Sequence, residues 1–390
     1  MTRIRRSPYA FLYLEDNPEA ASSEDNPEAA SSPRPTRLVA FAVLTGERHP
    51  LSAQESCLLQ HISASEWCAY EPEAETVVRG LVEKGLVLSD SAEARAARLR
   101  RRDADLAATQ WNGYAALFHF MTQWRGVGFA ETAEQPIALS AHSRAVARAM
   151  VDVYGPPPAE FAEFGSGPAV SLPGVERDGD FYRTLRARRT TRAFDRATPM
   201  TVAQLDTVMR YVFGCHGYGL NSADVVCIKR TSPSGGGLAP VEAYAIVDGV
   251  DGVAPGIYHY NGRDHSLVRK AELTSGEGRA LATEFMCGQS YFAAAHVTFV
   301  LTARFYRNHW KYRRHQKAYP GILMDAAHLT QTLYLVAAEL GLGAFVTIAI
   351  NGGDIEERLG LDGVREGVIA MAGCGPALPE GSPLDMRFDA

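Results

Sequence analysis

The sequence predicts an α+β protein in which an antiparallel-rich sheet is flanked by helices. Leu323 to Leu340 is apolar or small at nearly every position, the mark of a buried helix. VEAYAIV (Val241–Val247) and GIYHYNGRDHSL (Gly256–Leu267) read instead as a strand and a hairpin. With 390 residues and 46% apolar content the chain can bury a sizeable core, and roughly two or three domains are expected.

Composition excludes some functions. A net charge of −6 argues against a whole-chain nucleic-acid binder. The six cysteines, Cys57, Cys68, Cys215, Cys227, Cys287 and Cys374, include no CxxC pair, so neither a zinc site nor a disulfide framework is expected. The apolar run before Glu15 is too short for a signal-peptide core, and a cytoplasmic protein is expected. Asp325, His328, Gln331 and Glu339 make the helix from Leu323 a poor membrane span.

Residues 1–35 read as an N-terminal strand and a polar repeat loop, because EDNPEAASS occurs twice in tandem, Glu15–Ser23 and Glu24–Ser32. Two polar copies cannot build a solenoid. RLVAFAVLTG (Arg37–Gly46) then reads as a strand, Ser52 and Glu55 as a capping box, and ETVVRGLVEKG as a helix stopped by Gly85 before a short strand. A strand, short helices and a turn into a wing resemble the winged-helix group, which includes modules that grip leader peptides. DNA binding is disfavoured, since residues 52–62 carry almost no Lys or Arg. Residues 91–150 are helical by propensity, with Arg98, Arg100, Arg101 and Arg102 read as a solvated face. The expected division is a peptide-binding winged-helix-like unit with its helical segment at 36–150, a Pro- and Gly-rich linker at 151–180 and the chemistry at 181–390.

Six arginines lie between Arg183 and Arg196, around Thr190 and Thr191, and Thr201 then caps a helix. Guanidinium forks and hydroxyls suit a phosphate. Pro233, Ser234 and three glycines give a backbone able to approach a planar ligand closely, with neither a Walker nor a dinucleotide fingerprint. The basic and aromatic run Arg304–Arg314 includes Lys311 and Tyr312, where an exposed cationic segment meets an apolar one.

The arm RRTTRAF, the loop PSGGGLAP before a strand and the apolar helix ending in GLGAF follow one another in the order of the nitroreductase-like flavoenzymes. With the Gly256–Leu267 hairpin and the Trp310–Tyr312 WKY, residues 181–380 resemble the SagB-type dehydrogenases, azoline oxidases of ribosomal peptide biosynthesis. The resemblance implies an intertwined homodimer with two FMN sites at its interface. It implies that Arg188, Arg189, Thr190 and Arg192 hold the FMN phosphate and that Pro233, Ser234, Gly235 and Gly236 lie along the isoalloxazine or ribityl, with Gly343 in the same cofactor set. Lys311 and Tyr312 match the family's base machinery, and Gly373–Pro376 its Gly-Pro turn. Two departures, Gln331-Thr332 in place of QN and Leu238-Ala239 where polar residues are common, put the substrate-facing contacts in doubt.

Three functions follow. The first is an FMN-dependent peptide dehydrogenase, oxidising azoline to azole or desaturating a residue, with hydride passing to flavin N5 and then electrons to dioxygen. A precursor peptide and a modification-enzyme complex are its expected partners, since the chain carries no cyclodehydratase of its own. The second is an NAD(P)H-dependent reductase of nitro compounds, quinones or enones. The third is a non-catalytic flavin-binding partner or sensor subunit.

Overall fold

The structure is a computed structural model, described here for residues 2–16, 36–128, 143–161, 167, 169–221 and 224–382. Beyond Glu15 and Asp16 the tandem repeat lies outside the described residues. In chain order the elements are β1 (Arg3–Arg6), β2 (Ala10–Asp16), β3 (Thr36–Ala42), β4 (Glu47–Pro50), α1 (Ala53–His61), β5 (Cys68–Ala69), α2 (Glu75–Glu83), β6 (Val87–Ser89), α3 (Ala94–Ala108), α4 (Gly113–Met121) and α5 (Ser143–Tyr154). There follow α6 (Asp180–Ala187), α7 (Val202–Val208), β7 (Gly217–Leu220), β8 (Val226–Lys229), β9 (Val241–Val247), β10 (Gly256–Asn261), β11 (Ser266–Glu272), α8 (Glu277–Phe285) and α9 (Ser290–Ala293). The last are β12 (Val297–Arg304), α10 (Phe305–Tyr312), α11 (Ala318–Glu339), β13 (Gly343–Thr347), α12 (Gly352–Leu359) and β14 (Glu366–Gly375).

Two compact units result. The first comprises residues 1–124, 303–323 and 356–367, and the second residues 125–302, 324–355 and 368–390. This division is discontinuous and differs from the sequential one expected at a 151–180 linker. The described residues from 155 to 178 are exposed and carry no helix or strand, as a Pro- and Gly-rich stretch should be.

In the first unit β5-β1-β6 and β2-β3-β4 form two three-stranded sheets. The capping box is present: Ser52 accepts from the Glu55 N–H, and the Glu55 carboxylate accepts from the Ser52 N–H. Gly85 ends the next helix at φ 73°. The expected wing does not form. β6 pairs with β1 and leads into α3, so no hairpin follows α2. The arginine run is also only half solvated. Arg98 and Arg101 are exposed, whereas Arg100 donates to the Ser91 carbonyl at 2.9 Å and Arg102 lies over the Phe120 ring at 5.0 Å.

This unit's core gathers around Trp111, which touches His119, Phe120, Phe305, His309 and Tyr319. On α10 the buried positions are Phe305, Asn308 and His309, an i, i+3, i+4 pattern that leaves Trp310 and Lys311 outward.

The second unit is built on a six-stranded sheet in the order β11-β10-β9-β12-β14-β13. β10 pairs antiparallel with both β11 and β9, and β13 with β14. The helix read from Leu323 is α11, which begins earlier, at Ala318, and ends where Gly341 turns left-handed at φ 69°. Its Ala326, Leu329, Leu333 and Ala337 pack in one core with Val241, Phe213 and Phe299. Met324, by contrast, is 60% exposed, so the helix is not covered all round. No helix of the described residues is long and apolar enough to cross a membrane.

Candidate functional site

The polar residues of α11 are tethers. The Asp325 carboxylate accepts from the Ser234 hydroxyl at 2.5 Å and from the Gly235 N–H at 3.0 Å. His328 Nδ1 lies 3.3 Å from the Pro233 carbonyl, and the Thr332 hydroxyl 2.6 Å from that of Ser232. Positions 325, 328 and 332 share one face of a helix, so three residues grip one loop. The loop needs its glycines: Gly236 and Gly237 sit at φ 65° and 67°, and a Cβ on Gly237 would lie 2.9 Å from Cys227 Cβ. The sequence marked Asp325 and His328 only as polar exceptions. Their spacing with Thr332 was the signal that could have assigned them.

Both departures from the family pattern now have a physical account. Thr332 bonds Ser232 directly. Leu238 and Ala239 are 1% and 2% exposed, so the apolar side chains at these positions are buried.

A cleft of about 130 Å³ is lined by Arg189, Thr191, Tyr334, Ala338 and Gly343 among others. Thr190 pairs with Ala344 in a parallel bridge, and the Thr191 N–H donates to the Ala344 carbonyl at 2.8 Å, which lays the basic arm along β13. Close approach requires Gly343, since a Cβ there would lie 2.5 Å from Thr191 Cγ2. One exposed guanidinium above a tight backbone cleft fits a phosphate group. Of the other arm residues, Arg188 and Thr190 meet Tyr334 in the cleft wall, and Arg192 lies over a ring outside it. Arg188 stacks over Tyr334 at 5.4 Å, Arg192 over Phe292 at 5.8 Å, and Thr190 meets the Tyr334 hydroxyl at 3.0 Å.

Among the described residues the glycine loop and the arm meet α11 at different positions, Asp325 and Tyr334. Asp325 and Tyr334 are nine residues apart on α11, roughly 180° around the helix at about 100° per residue. The loop therefore rides on one side of α11 and the arm on the other.

Lys311 and Tyr312 lie in the first unit, at the end of α10. Lys311 Nζ sits 5.4 Å from the Tyr312 ring centroid, and Arg313 leaves the helix at φ 49°. Lys311 is exposed. Tyr312 is half-buried.

Residues 185–375 match the family model described as the nitroreductase family. Residues 185–375 form a nitroreductase-family domain. A Methanocaldococcus jannaschii protein named for the nitroreductases, MJ1384, is 28% identical over 49% of this chain and 88% of its own length. The trifolitoxin-processing protein TfxB of Rhizobium leguminosarum bv. trifolii is 31% identical over 41% of this chain, and the match spans only 40% of TfxB. Among solved structures, a chain of the E. coli microcin synthetase McbBCD complex with truncated pro-MccB17 bound superposes with a TM-score of 0.51 at 18% identity. That match covers 70% of this chain and 97% of the other, and it is a likeness of fold.

Proposed function

We propose that this protein is an FMN-dependent dehydrogenase of peptide maturation, oxidising an azoline to an azole or desaturating a residue. The observation that carries the reading is the double use of α11, which fixes a phosphate-sized cationic cleft on one side and a glycine-rich loop on the other. The likeness to TfxB, named as a trifolitoxin-processing protein, favours a peptide as substrate.

FMN, once bound, supplies an acceptor for hydride and a route for electrons to dioxygen. Arg189 would hold its phosphate, with Thr191 and Gly343 keeping the cleft open. Asp325 would keep the Pro233–Gly236 backbone set for the ring system. Because loop and arm ride on opposite sides of α11, a complete site takes the arm of one copy and the loop of another, and the homodimer is part of the proposal. The exposed Met324, Ala327 and Gln331 form an open stripe on that helix for the second copy.

A two-electron oxidation of this kind also removes a proton from the substrate. Lys311 and Tyr312 are proposed to take it, with Arg313 and Arg314 adding a positive field for the carbanion that develops.

A second reading, an NAD(P)H-dependent reductase, is favoured by the similarity to MJ1384 over most of that protein's length. An anaerobic visible spectrum separates the two. A yellow protein bleached rapidly by NADPH is a reductase. One that stays oxidised with NADPH and is bleached by an azoline-bearing peptide is the dehydrogenase. A protein that cannot be loaded with FMN is neither.

A further inference from the structure

The flavin chemistry proposed above makes no use of the arginine run of α3. Arg95, Arg98, Arg101 and Arg102 recur every three or four residues and so share one side of the helix. With Arg365 they line a groove of about 610 Å³ in the first unit, floored by Leu44, Leu99 and Val364. Three of the five are engaged. Arg95 bonds the Glu83 carbonyl, Arg102 donates to the Asp362 carbonyl at 3.2 Å, and Arg365 pairs with Asp105 and, at 2.9 Å, with Asp362. Arg98 and Arg101 are exposed and make no hydrogen bond or ion pair among the described residues.

We propose that this groove docks an acidic peptide segment carrying apolar side chains. Arg98 and Arg101 stand one turn apart, with about 5–6 Å between Cβ positions. Carboxylates two residues apart on an extended chain are separated by roughly 6.5 Å, a close match. The apolar floor gives the intervening side chains somewhere to go. Nucleic acid fits less well, because Glu47, Asp105 and Asp362 also line the groove and would repel an unbroken row of phosphates. The inference deepens the peptide reading by naming the chemistry of the peptide, and it rests on that reading only for the peptide being the substrate.

The test is fluorescence anisotropy on the full-length protein. The probes are a fluorescein-labelled peptide of Glu, Asp and Leu, its neutral counterpart with Gln and Asn in place of the acids, and a labelled single-stranded DNA. The acidic peptide should bind about tenfold or more tightly than the neutral one, and added salt should weaken it. The double variant Arg98→Glu/Arg101→Glu should lose about tenfold or more in affinity, while Arg98→Lys/Arg101→Lys keeps most of it. Flavin content and thermal unfolding should not change in either variant.

Equal binding of the acidic and neutral peptides would overturn the proposal, as would unchanged affinity in the charge-reversed variant. DNA binding more tightly than the acidic peptide would assign the groove to nucleic acid and overturn it too. The outcomes separate from those of the flavin reading. A colourless protein that binds the acidic peptide would fail only as a dehydrogenase, and an active flavoprotein that ignores the peptide only in its groove.

Discussion

The Asp325 carboxylate of α11 holds Ser234 and Gly235 together, accepting from the hydroxyl at 2.5 Å and the backbone N–H at 3.0 Å. Asp325 is buried beneath a half-buried Ser234 and an exposed Gly235, so its removal leaves two donors without their protein acceptor. Asp325→Ala should cost about 1–3 kcal/mol of stability and lower the flavin-to-protein ratio of the purified protein. Asp325→Asn should cost less, because the amide oxygen can still accept from the Gly235 N–H. Unchanged unfolding and flavin content in the alanine variant would show that the loop stands without its tether.

Gly343→Ala forces its Cβ to within 2.5 Å of Thr191 Cγ2, at the point where the arm crosses β13. Overlap of that kind costs about 1–3 kcal/mol. The arm should shift, flavin should dissociate more readily, and Thr191→Ala should restore part of both. Calorimetry and a flavin titration of the two single variants and the double variant measure this. A Gly343→Ala protein that unfolds and binds as the parent does would remove the close approach from the site.

Arg189 alone of the basic arm lines the cleft, whereas Arg188 and Arg192 lie over aromatic rings. A charge-assisted hydrogen bond is worth about 1.5–3 kcal/mol, so Arg189→Ala should weaken FMN binding about 10- to 100-fold. Riboflavin lacks the phosphate and should bind as before. Equal losses for both ligands would mean that Arg189 does not hold the phosphate.

Much of this was legible in the sequence because local rules and packing agreed. The capping box at Ser52, the helix cap at Thr201 and the Gly256–Leu267 hairpin formed as read. The readings that changed depend on contacts far along the chain. Arg100 and Arg102 looked solvated because their partners, Ser91 and Phe120, lie outside the helix. Pairing of β6 with β1, more than eighty residues away, could not be seen from the turn after Gly85. The site was half legible. Its residue types were plain, but their placement on opposite sides of α11 follows only from knowing which loop Asp325 and which strand Thr191 reach.

Lys311→Ala should abolish peptide oxidation while FMN stays bound, since Lys311 and the arm residues belong to different units of the chain. Tyr312→Phe removes only the hydroxyl and should also cost about 10²- to 10⁴-fold in turnover if that oxygen moves a proton. Stopped-flow reduction of the flavin by peptide isolates the step from reoxidation. Reduction at the parental rate in both variants would place the base elsewhere.

The last prediction concerns acid. Burial holds His119 at a pKa of about 3 and His309 at about 4, both well below the ordinary value of 6.5. Once unfolded, each regains that ordinary value, so between pH 6.5 and about 4 the unfolded state binds protons that the folded state refuses. Stability conferred by keeping these rings neutral is therefore present above pH 6.5 and lost as pH falls, by about 1.4 kcal/mol per pH unit for each ring. Burial raises the pKa of Tyr319, so its hydroxyl, 3.0 Å from His119 Nδ1, stays protonated throughout. Replacing both partners by shapes without polar atoms, His119→Phe/Tyr319→Phe, should change little at pH 7 yet flatten the slope by about one ring's share. All four tryptophans belong to the first unit, so fluorescence-monitored urea unfolding at pH 7, 6 and 5 reads the unit concerned. Parallel slopes for parent and double variant would mean that His119 does not set the acid response.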